Sequence, residues 1–456
     1  MAKLIKFPKE HKIPANWKWV KLGNYISTKT GYPFDSKRFS KKSEGLKGLI
    51  RIRDIVRGYT ETFTDEECTE DYIIHKGDML IGMDGEFNIA KWNSSDAFLN
   101  QRVCLIKSNS QNLLDDFLFY YLPYPLESIN ETTPSITVKH LSTKTLEQIP
   151  FPLPPLAEQE RIVNKLDNYI SKLDEAKEKL EKVVDTYEFR KYVILNKAFK
   201  GELTKNWREK NKFELDDDIK KKAITKDSML PDEYLYEIPE NWRWVRLGEI
   251  NIKVIDGDRG KNYPKKKKEF FSEGYCIFLN AKNVTKDGFK FDNLEYITKD
   301  KDELLRSGRL NRGDIVMTTR GTIGNIALYD DSIIYDKLRI NSGMVIFRSE
   351  FEIVKKYIIY LWQSILIKNQ INILTTGTAQ PQLPIKDLKK IHFPLPPLEE
   401  QKEIVKFLDS ILSKGKKVKE IAEKEIERIG NLRENLLTRA FAGLLGTNNP
   451  NEENPM

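Results

Sequence analysis

The residues best suited to nucleophilic, acid–base or metal chemistry in this 456-residue chain are four histidines and three cysteines, and none is spaced for it. His11, His75, His140 and His392 are scattered, and Cys68, Cys104 and Cys276 show no metal-like interval. The sequence contains no G-x-x-x-x-G-K-[ST] phosphate loop, no G-x-G-x-x-G helix opening, no H-E-x-x-H and no paired C-x-x-C. Acidic residues are plentiful, but none forms a pair that recurs in both halves of the chain. His392 stands opposite Pro150 when the halves are aligned, which removes a duplicated catalytic role. No active site is read from these residues.

What the side chains are suited to is contact with a polyanion and with the edges of bases. Residues 31–39 place Tyr32, Phe34, Ser36, Lys37 and Arg38 in a turn-rich stretch that offers phosphate contacts and base-edge donors together. Arg51 and Arg53 close a β-rich run at 49–53, and Asp84 and Glu86 follow another at 79–81. Asn100, Gln101 and Arg102 form a polar triplet, and Thr133 and Ser135 lie in a later polar stretch. The second half carries different residues at similar places: Asp258, Arg259, Lys261, Asn262 and Tyr263, then Asn280 and Lys282. Thr319, Arg320 and Thr322 follow, with Asn341 and Ser342 and the loop of Thr376, Thr378, Gln380 and Gln382. A carboxylate such as Asp84 or Glu86 suits the amino group of cytosine, a guanidinium such as Arg320 suits guanine, and an amide suits adenine. The run Lys265-Lys-Lys-Lys268 reads as a phosphate contact or a plain solvated run.

The elements that must position these loops announce themselves by repetition. Phe151-Pro-Leu-Pro-Pro-Leu-Ala-Glu-Gln begins a 17-residue segment that returns from Phe393 with twelve identities, at an offset of 242. Ile13-Pro-Ala-Asn-Trp-Lys-Trp-Val-Lys-Leu-Gly23 returns at Ile238 with eight identities in eleven, and Ala198-Phe-Lys-Gly201 returns as Ala440-Phe-Ala-Gly443. A period this long marks a tandem duplication rather than a solenoid. Matching frames therefore surround blocks that differ.

Each proline-rich motif introduces a long charged helix. Ile162, Leu166, Tyr169, Leu173, Ala176, Leu180, Val183 and Tyr187 recur at steps of four and three, a heptad seam. Ile404, Leu408, Ile411, Gly415, Val418, Ala422, Ile429, Leu432 and Leu436 repeat it, with a weak centre at Lys414-Gly-Lys416. Helices of this length span roughly 60 Å at 1.5 Å per residue, and a narrow apolar stripe needs a partner. The expected fold is α/β (α+β): two globular domains with mixed, mostly antiparallel sheets, joined by two long helices in an antiparallel coiled coil with pseudo-two-fold symmetry. The expected boundaries are a first domain at 1–155, a first helix at 156–200 ending at Gly201, and a linker at 201–237. A second domain at 238–397, a second helix at 398–445 and a disordered tail at 446–456 follow.

Composition agrees with a globular soluble chain: 39% hydrophobic, 32% charged, with no apolar run of the roughly 18 residues that span a bilayer. No signal-peptide core is present, and an odd number of unpaired cysteines reads as reduced thiols in a cytoplasmic protein. The net charge of +8 lies mainly in the divergent blocks, a mild bias compatible with a polyanion partner.

With these residues in view, the chain resembles the specificity subunit of type I restriction–modification enzymes. The resemblance rests on Pro-Leu-Pro-Pro-Leu-x-Glu-Gln at Pro152 and Pro394, Ala-Phe-x-Gly after each helix, and Asn-Trp-x-Trp-Val-x-Leu-Gly at Asn16 and Asn241. It implies a non-catalytic reader of double-stranded DNA in a prokaryotic cytoplasm, with no membrane partner. Each divergent block would be a target-recognition domain for one half of an asymmetric two-part site. The helices would set the separation and hold two methylation subunits that use S-adenosylmethionine on adenine. Restriction subunits using ATP and Mg would join them, leaving no cofactor on this chain. The alternatives left open are a methylation-only complex and a coiled-coil scaffold that binds no DNA.

Overall fold

Proline lacks the N–H that an interior strand needs, so a Phe-Pro-Leu-Pro segment belongs on a strand paired along one side. The computed structural model, which describes residues 12–133, 139–215, 217–221, 236–264, 269–350, 352–377 and 380–451, places it there. Strand Pro150–Leu153 pairs antiparallel with Lys18–Lys21, and His392–Leu395 pairs with Arg243–Arg246. The tryptophan-rich opening and the proline-rich motif are thus two edges of one ribbon, formed twice. The glutamate and glutamine that follow are buried. Glu158 accepts from the Trp17 indole at 2.9 Å, and Glu400 accepts from Trp242 at 2.9 Å. Gln159 accepts from the Leu114 N–H and donates to Pro154 O, while Gln401 does the same with Val354 and Pro396.

The chain divides into two compact units, Met1–Lys182 with Ala422–Met456 and Val183–Ile421. In the first, a four-stranded antiparallel sheet runs in the order Ile26–Thr30, Val103–Ser108, Met79–Gly82, Ile89–Lys91. In the second, the same order is built from Ile252–Asp256, Met344–Ser349, Ile315–Thr318 and Ile326–Leu328. A second sheet in each unit contains a parallel pair: Lys47–Ile50 beside Ala97–Leu99 in the first, and Cys276–Leu279 beside Leu338–Ile340 in the second. The expected strand at 49–53 is corrected. Only Lys47–Ile50 is strand, and Ile52–Arg57 is a helix, because Asp54 Oδ2 accepts the Arg51 N–H at 2.9 Å and Gly58 closes the helix at φ 74°.

The long helices begin at Leu156 and Leu398, directly after the prolines. The stretch expected as one helix over 156–200 is two, Leu156–Asp185 and Tyr187–Phe199, broken at Thr186. The other runs unbroken through Gly415 from Leu398 to Phe441. Gly415 faces the Tyr187 ring, where a Cβ would sit at an ordinary contact distance of 3.4 Å, and it does not interrupt the helix. Within the first unit the pairing is antiparallel: Arg433 meets Asp174 at 2.6 Å, and Lys165 donates to Leu445 O at 2.9 Å. Within the second, Lys419 lies over Tyr187, and Arg208 meets Glu400. The expected seam is only partly buried: Ile162, Leu166, Ile404 and Leu408 sit in cores, but Tyr169, Val418 and Leu432 are exposed. Ala422 and Ile429 are buried as well, outside the two large cores, and the rest of the stripe midway along the helices is covered only in part.

Two further expectations change. The beginning of the 201–237 linker is a docked element: helix Lys205–Lys210 carries Arg208 onto the buried Glu400, and Thr204 donates to it at 2.8 Å. The expected disordered tail is ordered through residue 451, where Thr447 is buried and Asn448 donates to Glu158 at 2.9 Å. The two segments are counterparts. Gly201 and Gly443 both have positive φ, and a Cβ on either would clash with Pro239 or Pro14 at 2.5 and 2.3 Å. The Ala-Phe-x-Gly repeat is therefore a close-packed stop against the Ile-Pro that opens each copy.

Candidate nucleic-acid interface

In both units the divergent residues gather where one backbone crosses another at the end of the four-stranded sheet. A Cβ at Gly31 would lie 2.2 Å from the Asn100 carbonyl, and one at Gly257 would lie 2.0 Å from the Asn341 carbonyl, so only glycine fits either crossing. The hydrogen bonds around the crossing match pairwise. Met83 N–H donates to Arg102 O and Thr319 N–H to Gly343 O; Leu141 N–H donates to Met83 O and Leu383 N–H to Thr319 O. Asp84 bridges His140 just as Arg320 bridges Gln382. Position by position, then, Asp84 corresponds to Arg320, Arg102 to Gly343, and His140 to Gln382.

In the first unit a groove of about 680 Å³ brings together Ser36, Arg51, Arg53, Asp84, Glu86, Gln101 and Arg102. Asp84 is the hub. Its Oδ2 meets Arg102 Nη1 at 3.1 Å and its Oδ1 accepts from His140 Nδ1 at 2.7 Å. Arg53 donates to Thr62 at 3.3 Å, and Glu86 is exposed. Other expected readers are placed differently. Phe34 is 4% exposed and stacks on Phe98, so it is core, and Asn100 serves the crossing with its backbone while its side chain is buried. Tyr32 packs edge-on against Phe34 and Tyr72. Arg38 is tied to Asp65 at 2.8 Å, and Lys37 sits exposed in the one-turn helix Ser36–Arg38. Thr133 donates to Ile129 O at the end of its own helix, and Ser135 lies outside the described residues.

The second unit presents a different set on the same frame. Arg320 and Thr322 are exposed, Gln382 is bridged to Arg320 and exchanges backbone hydrogen bonds with Thr376, and Gln380 is exposed in the same loop as Gln382. Ala281 lies 3.8 Å from a Cβ built at Gly321, which brings the exposed Lys282 to the same loops. Arg259 donates to Ser342 O at 3.2 Å, and the Tyr263 hydroxyl accepts from Ser342 N–H at 3.4 Å. Lys261 is exposed, and Asn262 donates to Leu304 O at 3.3 Å. Three expected readers serve the fold instead. Asp258 is buried and accepts from the Gly260 and Arg306 N–H groups, Thr319 is buried beneath the crossing, and Asn280 caps its own turn through Lys282 N–H. Asn341 likewise accepts from Gly343 N–H, while Thr378 and the 265–268 lysine run lie outside the described residues.

His140 was missed among the scattered histidines. The 242-residue offset sets it opposite Gln382, which had been singled out, so the repeat itself held the signal. No helix among the described residues is long and apolar enough to cross a membrane.

Comparison with known proteins agrees along nearly the whole chain. The family described as the type I restriction modification DNA specificity domain matches residues 14–185 and 239–428. The EcoBI specificity subunit of Escherichia coli is 30% identical over 433 residues, covering 94% of this chain and 86% of the relative. The MjaVIII specificity subunit of Methanocaldococcus jannaschii is 28% identical over 451 residues, covering 92% of each. Among solved structures, a chain from a study of complex assembly in the type I R-M system superposes with a TM-score of 0.67 at 19% identity, covering 96% of this chain and 100% of that one. The HsdS subunit of Thermoanaerobacter tengcongensis gives 0.53 at 19%, covering 96% and 99%. A duplicated frame, two dissimilar polar crossings and this full-length match together place the chain among the specificity subunits of type I restriction–modification enzymes.

Proposed function

We propose that this chain is the non-catalytic reader of its complex, and that its two units read the two dissimilar halves of one asymmetric DNA site. The observation that carries the reading is the pair of matched crossings. One backbone frame displays Asp84, Arg102 and His140 in one unit, and Arg320, Gly343 and Gln382 in the other. A shared frame fixes how each unit sits on a duplex, and the exchanged side chains change which base edges it accepts. Chemistry belongs to partners in this reading. Two methylation subunits supply S-adenosylmethionine for adenine methylation, restriction subunits supply ATP- and Mg-dependent steps, and the complex works in a prokaryotic cytoplasm. The long helices hold the methylation subunits and set the distance between half-sites.

Methylation mapping of cells expressing this chain with its methylation subunits tests the reading. The expected result is methylated adenine within a single two-part sequence whose halves differ, lost when this chain is omitted. Methylation at a symmetric sequence, or unchanged methylation without this chain, would overturn it. One heptad inserted near Glu178 is expected to lengthen the spacer and leave both half-sites as they were.

A further inference from the structure

The crossing in the first unit contains an arrangement that its counterpart lacks. Both carboxylate oxygens of Asp84 are occupied, one by Arg102 at 3.1 Å and the other by His140 at 2.7 Å, and its side chain is only 18% exposed. A carboxylate so engaged has little capacity left for a cytosine amino group. Its two partners are open instead: the side chains of Arg102 and His140 are 57% and 58% exposed. Among the described residues Arg102 uses only Nη1, which leaves Nε and Nη2 without a protein partner. A guanidinium ion-paired at one nitrogen keeps the rest of its fork open, the donor set that matches guanine O6 and N7.

The second unit reaches the same place from the other strand of the crossing. Arg320 stands where Asp84 stands, and Gly343 stands where Arg102 stands. A Cβ on Gly343 would come within 3.6 Å of the Arg320 Cβ, so an arginine there would set two cations side by side. Arg320 is exposed, and no side chain among the described residues holds it. At this backbone contact each crossing therefore has one guanidinium of the pair, supplied from opposite partners.

We infer that Arg102 and Arg320 are the specificity-determining donors of their units, each reading a guanine, and that Asp84 is a positioning residue that aims Arg102. This assignment rests on the DNA-specificity reading above and goes beyond it by naming the base and the atoms. Asp84 also fixes the tautomer of His140, whose Nε2 is left facing no protein partner among the described residues.

The full-length chain, with its methylation subunits, is incubated with a pool of randomised duplexes, and the retained duplexes are sequenced. Wild type should retain a two-block consensus. Arg102→Ala should lower the preference for guanine at one position of one block roughly 5- to 150-fold, leaving the other block intact. Arg320→Ala should do the same in the other block. Arg102→Lys keeps the charge and should keep the salt dependence of binding, yet lose most of the guanine preference, because an ammonium has no fork. Asp84→Asn should weaken preference at the position that Arg102 reads, and adding it to Arg102→Ala should change nothing further. Loss of affinity for all sequences alike in Arg102→Ala would make that residue a phosphate contact and overturn the inference while the DNA-specificity reading stands. A wild-type complex that retains no two-block consensus would overturn both.

Discussion

The two buried carboxylates at the helix starts hold corresponding places and are held differently. Glu400 takes the Trp242 indole, Thr204, the Asn241 amide and the Arg208 guanidinium, whereas Glu158 takes Trp17, Asn448 and Thr447, all neutral. Both are fully buried, yet among the described residues only Glu400 has a cation beside it. The difference teaches how the frame tolerates divergence. What each unit needs is a set of donors that satisfies a carboxylate welding the tryptophan-rich opening to the helix, and either a charged or a neutral set will serve. The crossings follow the same logic with a different purpose, since there the exchanged side chains face outward.

The largest effect should come from breaking the charged set. Glu400→Ala leaves Arg208 and three further donors without their acceptor and should cost ~3–5 kcal/mol of the second unit's stability. Glu158→Ala leaves only neutral donors unsatisfied and should cost ~1–3 kcal/mol. Urea unfolding followed by tryptophan fluorescence measures both, and equal losses would show that the cation is not what separates the two anchors. A pH difference should come next. His392 is buried beside Arg246, which donates to its Nε2 at 2.9 Å, and burial, with Arg246, lowers its pKa to about 4. The unfolded chain takes up this proton near pH 6.5, so stability should fall as pH drops from about 6.5 toward 4, by up to about 3 kcal/mol. The first unit has Pro150 at this place and should lack this contribution. A His392→Gln chain whose pH profile matched wild type would refute the assignment.

Smaller and more even effects are expected at the crossings' glycines. Gly31→Ala and Gly257→Ala each drive a methyl group into a carbonyl and should cost ~1–3 kcal/mol, similar in the two units, as read by thermal unfolding. Asn448→Ala should be smallest, about 1 kcal/mol, and confined to the first unit. A loss in the second unit instead would contradict the placement of the C-terminal segment.

Much of the frame was legible because the same residues appear twice. Two copies of Pro-Leu-Pro-Pro-Leu-x-Glu-Gln located both helix starts, and the divergent blocks located the loops that gather at the crossings. The break at Thr186 was not legible, because the heptad pattern continues through it and Gly415, on the other helix, was the more conspicuous irregularity. Phe34, Asp258 and Thr319 have side chains that suit DNA, but whether such residues face solvent depends on which sheet covers them. His140 was passed over because its importance comes from a carboxylate 56 residues away.

By itself the sequence determined the repeated elements, their order and the polar content of the blocks between them. These follow from local chemistry: prolines before a helix, heptad spacing, glycine stops. Only the tertiary structure decided which copy completes which unit. Leu195 and Phe199, which end the first copy's helix, belong to the core containing Trp242 and Tyr357, whereas Leu437 and Phe441 of the second copy belong to the core containing Trp17 and Phe117. The sequence repeat is therefore not the folded unit. Antiparallel pairing carries each helix end to the start of the other helix, where Gly201 meets Pro239 and Gly443 meets Pro14. Burying those apolar ends required the other copy's strands, a choice made by packing rather than by spacing along the chain.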